Sequence, residues 1–166
     1  MADSLQPIYD ALLLDHIRSA RHYGLQPDLA SVDIRNPMCG DVLQLQLAWS
    51  DGDVPAAAVH FECECCGIAM GSASLLTQML AGAPRRRVAE LAGQALQVLR
   101  GAPVPAGVGD HLPESHRAEA LAGWALLAAI PAQMPARRTC ASLGWQAVLA
   151  ALAGQRECAA EEVRAG

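Results

Sequence analysis

Past an opening helix, the apolar pattern of this chain changes period once, around Cys66, and that change restricts the architecture more than any other feature. Before it, residues 42–49 alternate: Val42, Leu43, Leu45, Leu47 and Trp49 are apolar, with Gln44 and Gln46 between them. This pattern predicts a strand with one wet face. Ser50, Asp51, Gly52 and Asp53 read as a hairpin turn, and residues 56–62 as the return strand. Residues 32–34 predict a short strand, and Asn36-Pro37 forces a turn after it. Beyond Cys66 the spacing becomes helical, with Ile68, Leu75, Leu76 and Met79 on one helix over residues 68–80, ended by Gly82. Further helices are expected at 88–99, at 114–130 (ended by Pro131 and Pro135) and at 137–153. The opening helix covers residues 7–21 and stops at Gly24. Antiparallel strands followed by helices predict an α+β fold: a small three-stranded antiparallel sheet with helices packed on one face. Residues 1–154 then form a single domain, and residues 155–166 a charged tail expected to fray.

Composition narrows the function. Hydrophobic residues make up 52% of the 166, so the chain can bury a core without staples. The net charge is -5 and there is no Lys, which argues against a duplex nucleic-acid binder. The basic run Arg85-Arg86-Arg87 reads as a solvated helix start. The uncharged run 120–136 is shorter than the roughly 20 residues that span a bilayer, and Pro131, Gln133 and Pro135 interrupt it. No apolar signal segment follows the polar start, so a soluble, cytoplasmic protein is expected, with a monomer as the default state. In a reducing compartment, the six cysteines point to metal or sulfur chemistry rather than to a disulfide framework.

Three cysteines stand at chain junctions. Cys39 lies in the turn before the long strand, where Gly40 lets the backbone bend and Asp41 brings a carboxylate two residues on. Cys66 lies between the return strand and a helix, where free amides favour a thiolate. Cys140 lies near the start of the last helix. Three thiolates and a carboxylate suit a tetrahedral Zn²⁺ shell, and soft thiolates also suit an iron–sulfur cluster. The spacings match no standard zinc finger. Cys158, in the tail, reads as a small buried hydrophobe. None of the five histidines (His16, His22, His60, His111, His116) has ligand spacing to a cysteine, and each reads as a surface or packed residue. Cys63 and Cys66 form a C-x-x-C pair between strand and helix, so a thiol–disulfide protein is a further alternative.

The motifs around these cysteines resemble a known family. Ile8-Tyr9-Asp10 through Leu14-Asp15-His16 to Tyr23-Gly24 is similar to the opening helix of the U-type iron–sulfur assembly proteins, which include SufU, IscU and the N-terminal part of NifU. Asn36-Pro37-Met38-Cys39-Gly40-Asp41 resembles their first cysteine motif. Phe61 to Cys66 with Ser72-Ala73-Ser74 resembles the second, and Pro135 to Trp145 the third. Thr139, where IscU proteins have His, and the long separation of Cys66 from Cys140 make the chain most similar to SufU. The resemblance implies Zn²⁺ held by Cys39, Asp41, Cys66 and Cys140, and Cys39 accepting persulfide sulfur from a SufS-like cysteine desulfurase. It implies a sulfur acceptor rather than a free-standing enzyme, working with downstream iron–sulfur assembly proteins. Arg137 would steer the complex or support the site. The alternative is a scaffold on which Cys39, Cys66 and Cys140 build a [2Fe–2S] cluster or hold iron. The chain departs from the family at Cys63 and Cys65, where Gly is usual. These extra thiols could be ligands, or could pair as Cys63–Cys65 or Cys63–Cys66.

Overall fold

The computed structural model describes residues 11–166. The expectations placed on residues 7–10, including the start of the opening helix and Ile8-Tyr9-Asp10, lie outside them. The elements follow the order α1 (Ala11–Arg18), β1 (Val32–Arg35), β2 (Val42–Trp49), β3 (Ala57–Glu64), α2 (Gly67–Leu80), α3 (Arg85–Leu99), α4 (Glu114–Gln133), α5 (Arg138–Leu152) and β4 (Glu157–Ala159). A short 3-10 turn, Pro135–Arg137, leads into α5.

The alternation in β2 and β3 does what the pleat requires. Leu43 and Leu45 of β2 pair with Cys63 and Phe61 of β3, and the apolar side of both strands faces the helices. The order β3-β2-β1-β4 makes a four-stranded sheet, not the three-stranded one expected. The added strand comes from the tail expected to fray. Glu157, Cys158 and Ala159 run parallel to Asp33, Ile34 and Arg35 of β1, and the Ala160 amide donates to the Arg35 carbonyl at 2.8 Å. The chain after Gly154 therefore closes a sheet edge that would otherwise present unpaired backbone groups.

Helix α5 packs on β1 and β2, and α2 on β3, while α3 and α4 lean on α2 and α5 from outside. Both α2 and α5 are buried on nearly every side. Gly144 allows the two to meet closely: a Cβ there would stand 3.1 Å from the Leu76 Cδ1. The indoles of Trp124 and Trp145 pack with centroids 5.8 Å apart. Helix α1 is tied to α2 by polar contacts. The fully buried His16 bonds the Ser74 hydroxyl at 2.6 Å, and that hydroxyl also accepts from the Arg21 amide at 2.8 Å.

Two further expectations need correcting. Gln46 does not face water: it is 2% exposed, because the loop after α1 folds over that side of the sheet. Its amide nitrogen donates to the Gln26 and Leu29 carbonyls at 2.9 and 3.0 Å, and its oxygen accepts from the Gln26 amide at 2.7 Å. Pro131 does not end α4 but sits inside its last turn. Its fixed φ suits a helix, only one intrahelical bond is lost, and the Met134 amide still reaches the Ile130 carbonyl at 2.8 Å. Arg85-Arg86-Arg87 does open α3: Arg86 is solvated, Arg87 pairs with Glu90, and Arg85 covers the Trp49 ring.

Candidate metal centre

The site is assembled where three junctions meet. After β1, the chain makes a tight loop before β2. The Gly40 amide donates to the Asn36 carbonyl and the Asn36 amide to the Asp41 carbonyl, both at 2.8 Å. Gly40 has φ +78°, a conformation L side chains rarely adopt, and this turns Cys39 and Asp41 toward the same space. Asn36, 2% exposed, fixes the loop from inside. Its side-chain oxygen accepts from the Met38 amide at 3.0 Å, and its nitrogen points at the Cys140 sulfur at 4.0 Å. Cys140 enters from the first turn of α5, behind the 3-10 turn.

The donor atoms of Cys39, Asp41 and Cys140 all lie within 4.8 Å of one another. Tetrahedral ligands held about 2.0–2.3 Å from one ion stand roughly 3.3–3.8 Å apart, so small side-chain movements would close the three on it, and two sulfurs with a carboxylate are a donor set that Zn²⁺ accepts. Depth is graded across the three. Cys39 is exposed, Asp41 is half-buried and Cys140 is buried at 5% exposure.

The fourth expected ligand, Cys66, stands beside this trio rather than within it. It is the residue before α2, in extended backbone, and its amide donates to Asp41 Oδ2 at 3.2 Å. Its thiol is lowered to about 6, first because the Cys140 thiol hydrogen-bonds to it. The amides of Ala69 and Ile68 add to this, while burial and Asp41 oppose it. Cys140 is pushed up as the other half of the same contact, with burial adding to the rise. Arg137 is exposed beside them, and its hydrogen bond to the Cys140 sulfur works against that rise.

Cys63 and Cys65 are joined to each other in a disulfide. Strand β3 runs two residues further than expected, to Glu64. Side chains at i and i+2 of an extended chain share a side, which sets Cys63 beside Cys65, while Cys66 turns toward Asp41 and Cys140. The expected alternative of a Cys63/Cys66 redox pair is therefore not formed. Neither Cys63 nor Cys65 has the positive φ that Gly would provide; among the described non-glycine residues only His22 and Asp28 do.

Asn36 is the site residue that the sequence reading missed; its signal was the Asn-Pro turn itself. None of the histidines joins the cysteines. His22 bonds Thr77 at 2.9 Å and stacks edge-on to His60, and His111 bonds the Met79 carbonyl at 2.8 Å. Thr139 is also engaged, accepting from the Val163 amide at 3.0 Å.

A family profile described as the NifU-like N terminal domain matches residues 8–141. The chain is 31% identical over 145 residues to the zinc-dependent sulfurtransferase SufU of Bacillus subtilis (strain 168), covering 87% of this chain and 89% of that protein. It is 28% identical over 148 residues to the iron-sulfur cluster assembly scaffold protein IscU of Streptococcus pyogenes serotype M1, covering 89% and 84%. In fold it is similar to a putative iron-sulfur cluster assembly scaffold protein of Fervidobacterium islandicum AW-1. That match has a TM-score of 0.66 and 20% identity, and covers 87% of this chain and 96% of that one.

Proposed function

The chain belongs to the NifU-like N-terminal domain family, and from that premise we propose that it serves iron–sulfur cluster assembly as a zinc-dependent sulfur acceptor. The observation that carries the reading is the graded depth of the site. Asp41 and Cys140 lie inward, Cys66 hydrogen-bonds Cys140, and Cys39 alone of the three close donors is open to solvent. A partner can reach Cys39 without dismantling the rest.

Cys39, Asp41, Cys66 and Cys140 would hold Zn²⁺. The ion, when bound, keeps its thiol ligands deprotonated at neutral pH. The chemistry then belongs to Cys39. Its thiolate attacks the outer sulfur of a persulfide on a cysteine desulfurase; a new S–S bond forms on Cys39, and the desulfurase cysteine leaves as thiolate. Asn36 fixes the loop that carries Cys39, and Arg137 lies on the exposed rim where the partner arrives. Cluster assembly proteins downstream would take the sulfur, in the cytoplasm.

The second reading is a scaffold for a [2Fe–2S] cluster, supported by the similarity to IscU and by the same clustered thiols. Thr139 weighs against it: its hydroxyl is occupied at the place where the resemblance puts a histidine in IscU proteins. Replacing Cys39 by Ala and measuring turnover of a cysteine desulfurase tests the first reading. The wild-type chain stimulates turnover and Cys39→Ala abolishes the stimulation; unchanged stimulation would sink it. A visible spectrum of anaerobically purified protein separates the second, since a cluster gives charge-transfer bands and zinc does not.

A further inference from the structure

The two thiols outside the metal shell sit at its edge. Cys65 is joined by a peptide bond to Cys66, whose amide holds Asp41. Cys63 pairs across the sheet with Leu43, and Glu64 with Val42, the residue that follows Asp41. Both cysteines are half-buried, so small molecules and a partner can reach them. Cys63 is the more enclosed chemically: its sulfur lies 3.9 Å from the Met70 sulfur, and its backbone is bracketed by the Tyr23 hydroxyl. Cys65 lies in the strand–helix junction itself. The structure holds the pair oxidised, while Cys39, Cys66 and Cys140 are free thiols.

A sulfur acceptor faces a redox problem that this pair answers. Persulfide sulfur must gain two electrons to leave as sulfide, and two thiols closing to a disulfide supply two. We propose that Cys63 and Cys65 are a built-in reductant that takes the outer sulfur from Cys39 and releases it as sulfide. This rests on Cys39 being the acceptor. The Cys65 thiolate attacks the outer sulfur of the Cys39 persulfide; that S–S bond breaks and Cys39 leaves as thiolate. Cys65 now carries the persulfide. The Cys63 thiolate attacks the Cys65 sulfur, the Cys63–Cys65 bond forms, and the outer sulfur departs with the two thiol protons as hydrogen sulfide. The sulfur is reduced by two electrons and the two cysteines are oxidised by two. The disulfide seen here is the spent state. An external dithiol, itself oxidised to a disulfide, returns the pair to work.

The test uses the full chain, zinc-loaded, reduced with a dithiol and then freed of it under anaerobic conditions. A catalytic amount of cysteine desulfurase supplies the sulfur from L-cysteine held to one equivalent per chain, so that no excess free thiol is left to reduce a persulfide. Released sulfide is assayed, and differential alkylation with peptide mass mapping locates persulfide and disulfide. The wild-type chain releases one sulfide per chain without added reductant and gains the Cys63–Cys65 disulfide. Cys63→Ser releases none and carries sulfur on Cys65; Cys65→Ser releases none and keeps it on Cys39. Both release one equivalent of sulfide per chain when dithiol is added after the desulfurase has been removed, which shows that they fold and load. A wild-type chain that holds persulfide on Cys39 while Cys63 and Cys65 stay reduced overturns the proposal and leaves the acceptor reading standing. Absence of Cys39 persulfide from every variant overturns both.

Discussion

Asn36 shows how much of the site depends on one residue that carries no chemistry of its own. It is buried, it closes the loop through the Met38 amide, and it faces the Cys140 sulfur. Asn36→Ala leaves the Met38 amide without its partner and loosens the loop that presents Cys39. The expected cost is about 1–3 kcal/mol of stability, with a zinc affinity roughly 10–100-fold weaker. Thermal melts and competition with a chelator check both, and wild-type zinc affinity in Asn36→Ala would refute a positioning role. At this scale the cysteines were legible because junctions carry them. Asn36 was not, since an Asn before Pro reads first as a turn residue and its burial depends on α5 arriving from far along the chain. The pairing of Cys63 with Cys65 stayed open for a similar reason. It turned on where β3 stops, and periodicity does not fix an element's end.

The elements themselves were legible wherever a period ran long enough to be read. Strand β2 and helices α2 and α5 carry many apolar residues at regular spacing. Strand β4 offered three residues, one of them charged, and its pairing with β1 is a long-range choice made by the folded sheet rather than by local preference. That strand has a measurable consequence. A chain ending at Gly154 loses the bonds from the Asp33 amide to the Arg156 carbonyl and from the Ala160 amide to the Arg35 carbonyl. It also loses the Val163 amide that binds Thr139, next to Cys140. At about 1 kcal/mol for each hydrogen bond, the truncation costs roughly 2–4 kcal/mol. Denaturant unfolding of the two chains checks it, and equal midpoints would show that the tail is dispensable.

For the whole molecule, the helix layer is held in part by neutral histidines. His16, His22 and His111 each have their pKa lowered, in every case first by burial. The folded chain therefore binds fewer protons than the unfolded chain once the pH falls below their ordinary value of about 6.5. Their contribution to stability is complete above that value and is lost as the pH falls toward the folded pKa values. The melting temperature should drop between about pH 7.5 and pH 5.5. His16→Gln, which removes the buried link to Ser74, should give a less stable protein with a shallower drop. A slope as steep as the wild type's would mean that His16 takes no part.

No helix among the described residues is long and apolar enough to cross a membrane. The candidate site lies at one end of the sheet, where the donor atoms of Cys39, Asp41 and Cys140 come within 4.8 Å of one another and Cys66 stands beside them. Elemental analysis of the native chain beside single Cys→Ser variants at positions 39, 63, 65, 66 and 140 tests that organisation most directly. Zinc at one ion per chain is expected in the wild type and in Cys63→Ser and Cys65→Ser, with marked loss in Cys39→Ser, Cys66→Ser and Cys140→Ser. Zinc retained in Cys140→Ser and lost in Cys63→Ser or Cys65→Ser would contradict the account.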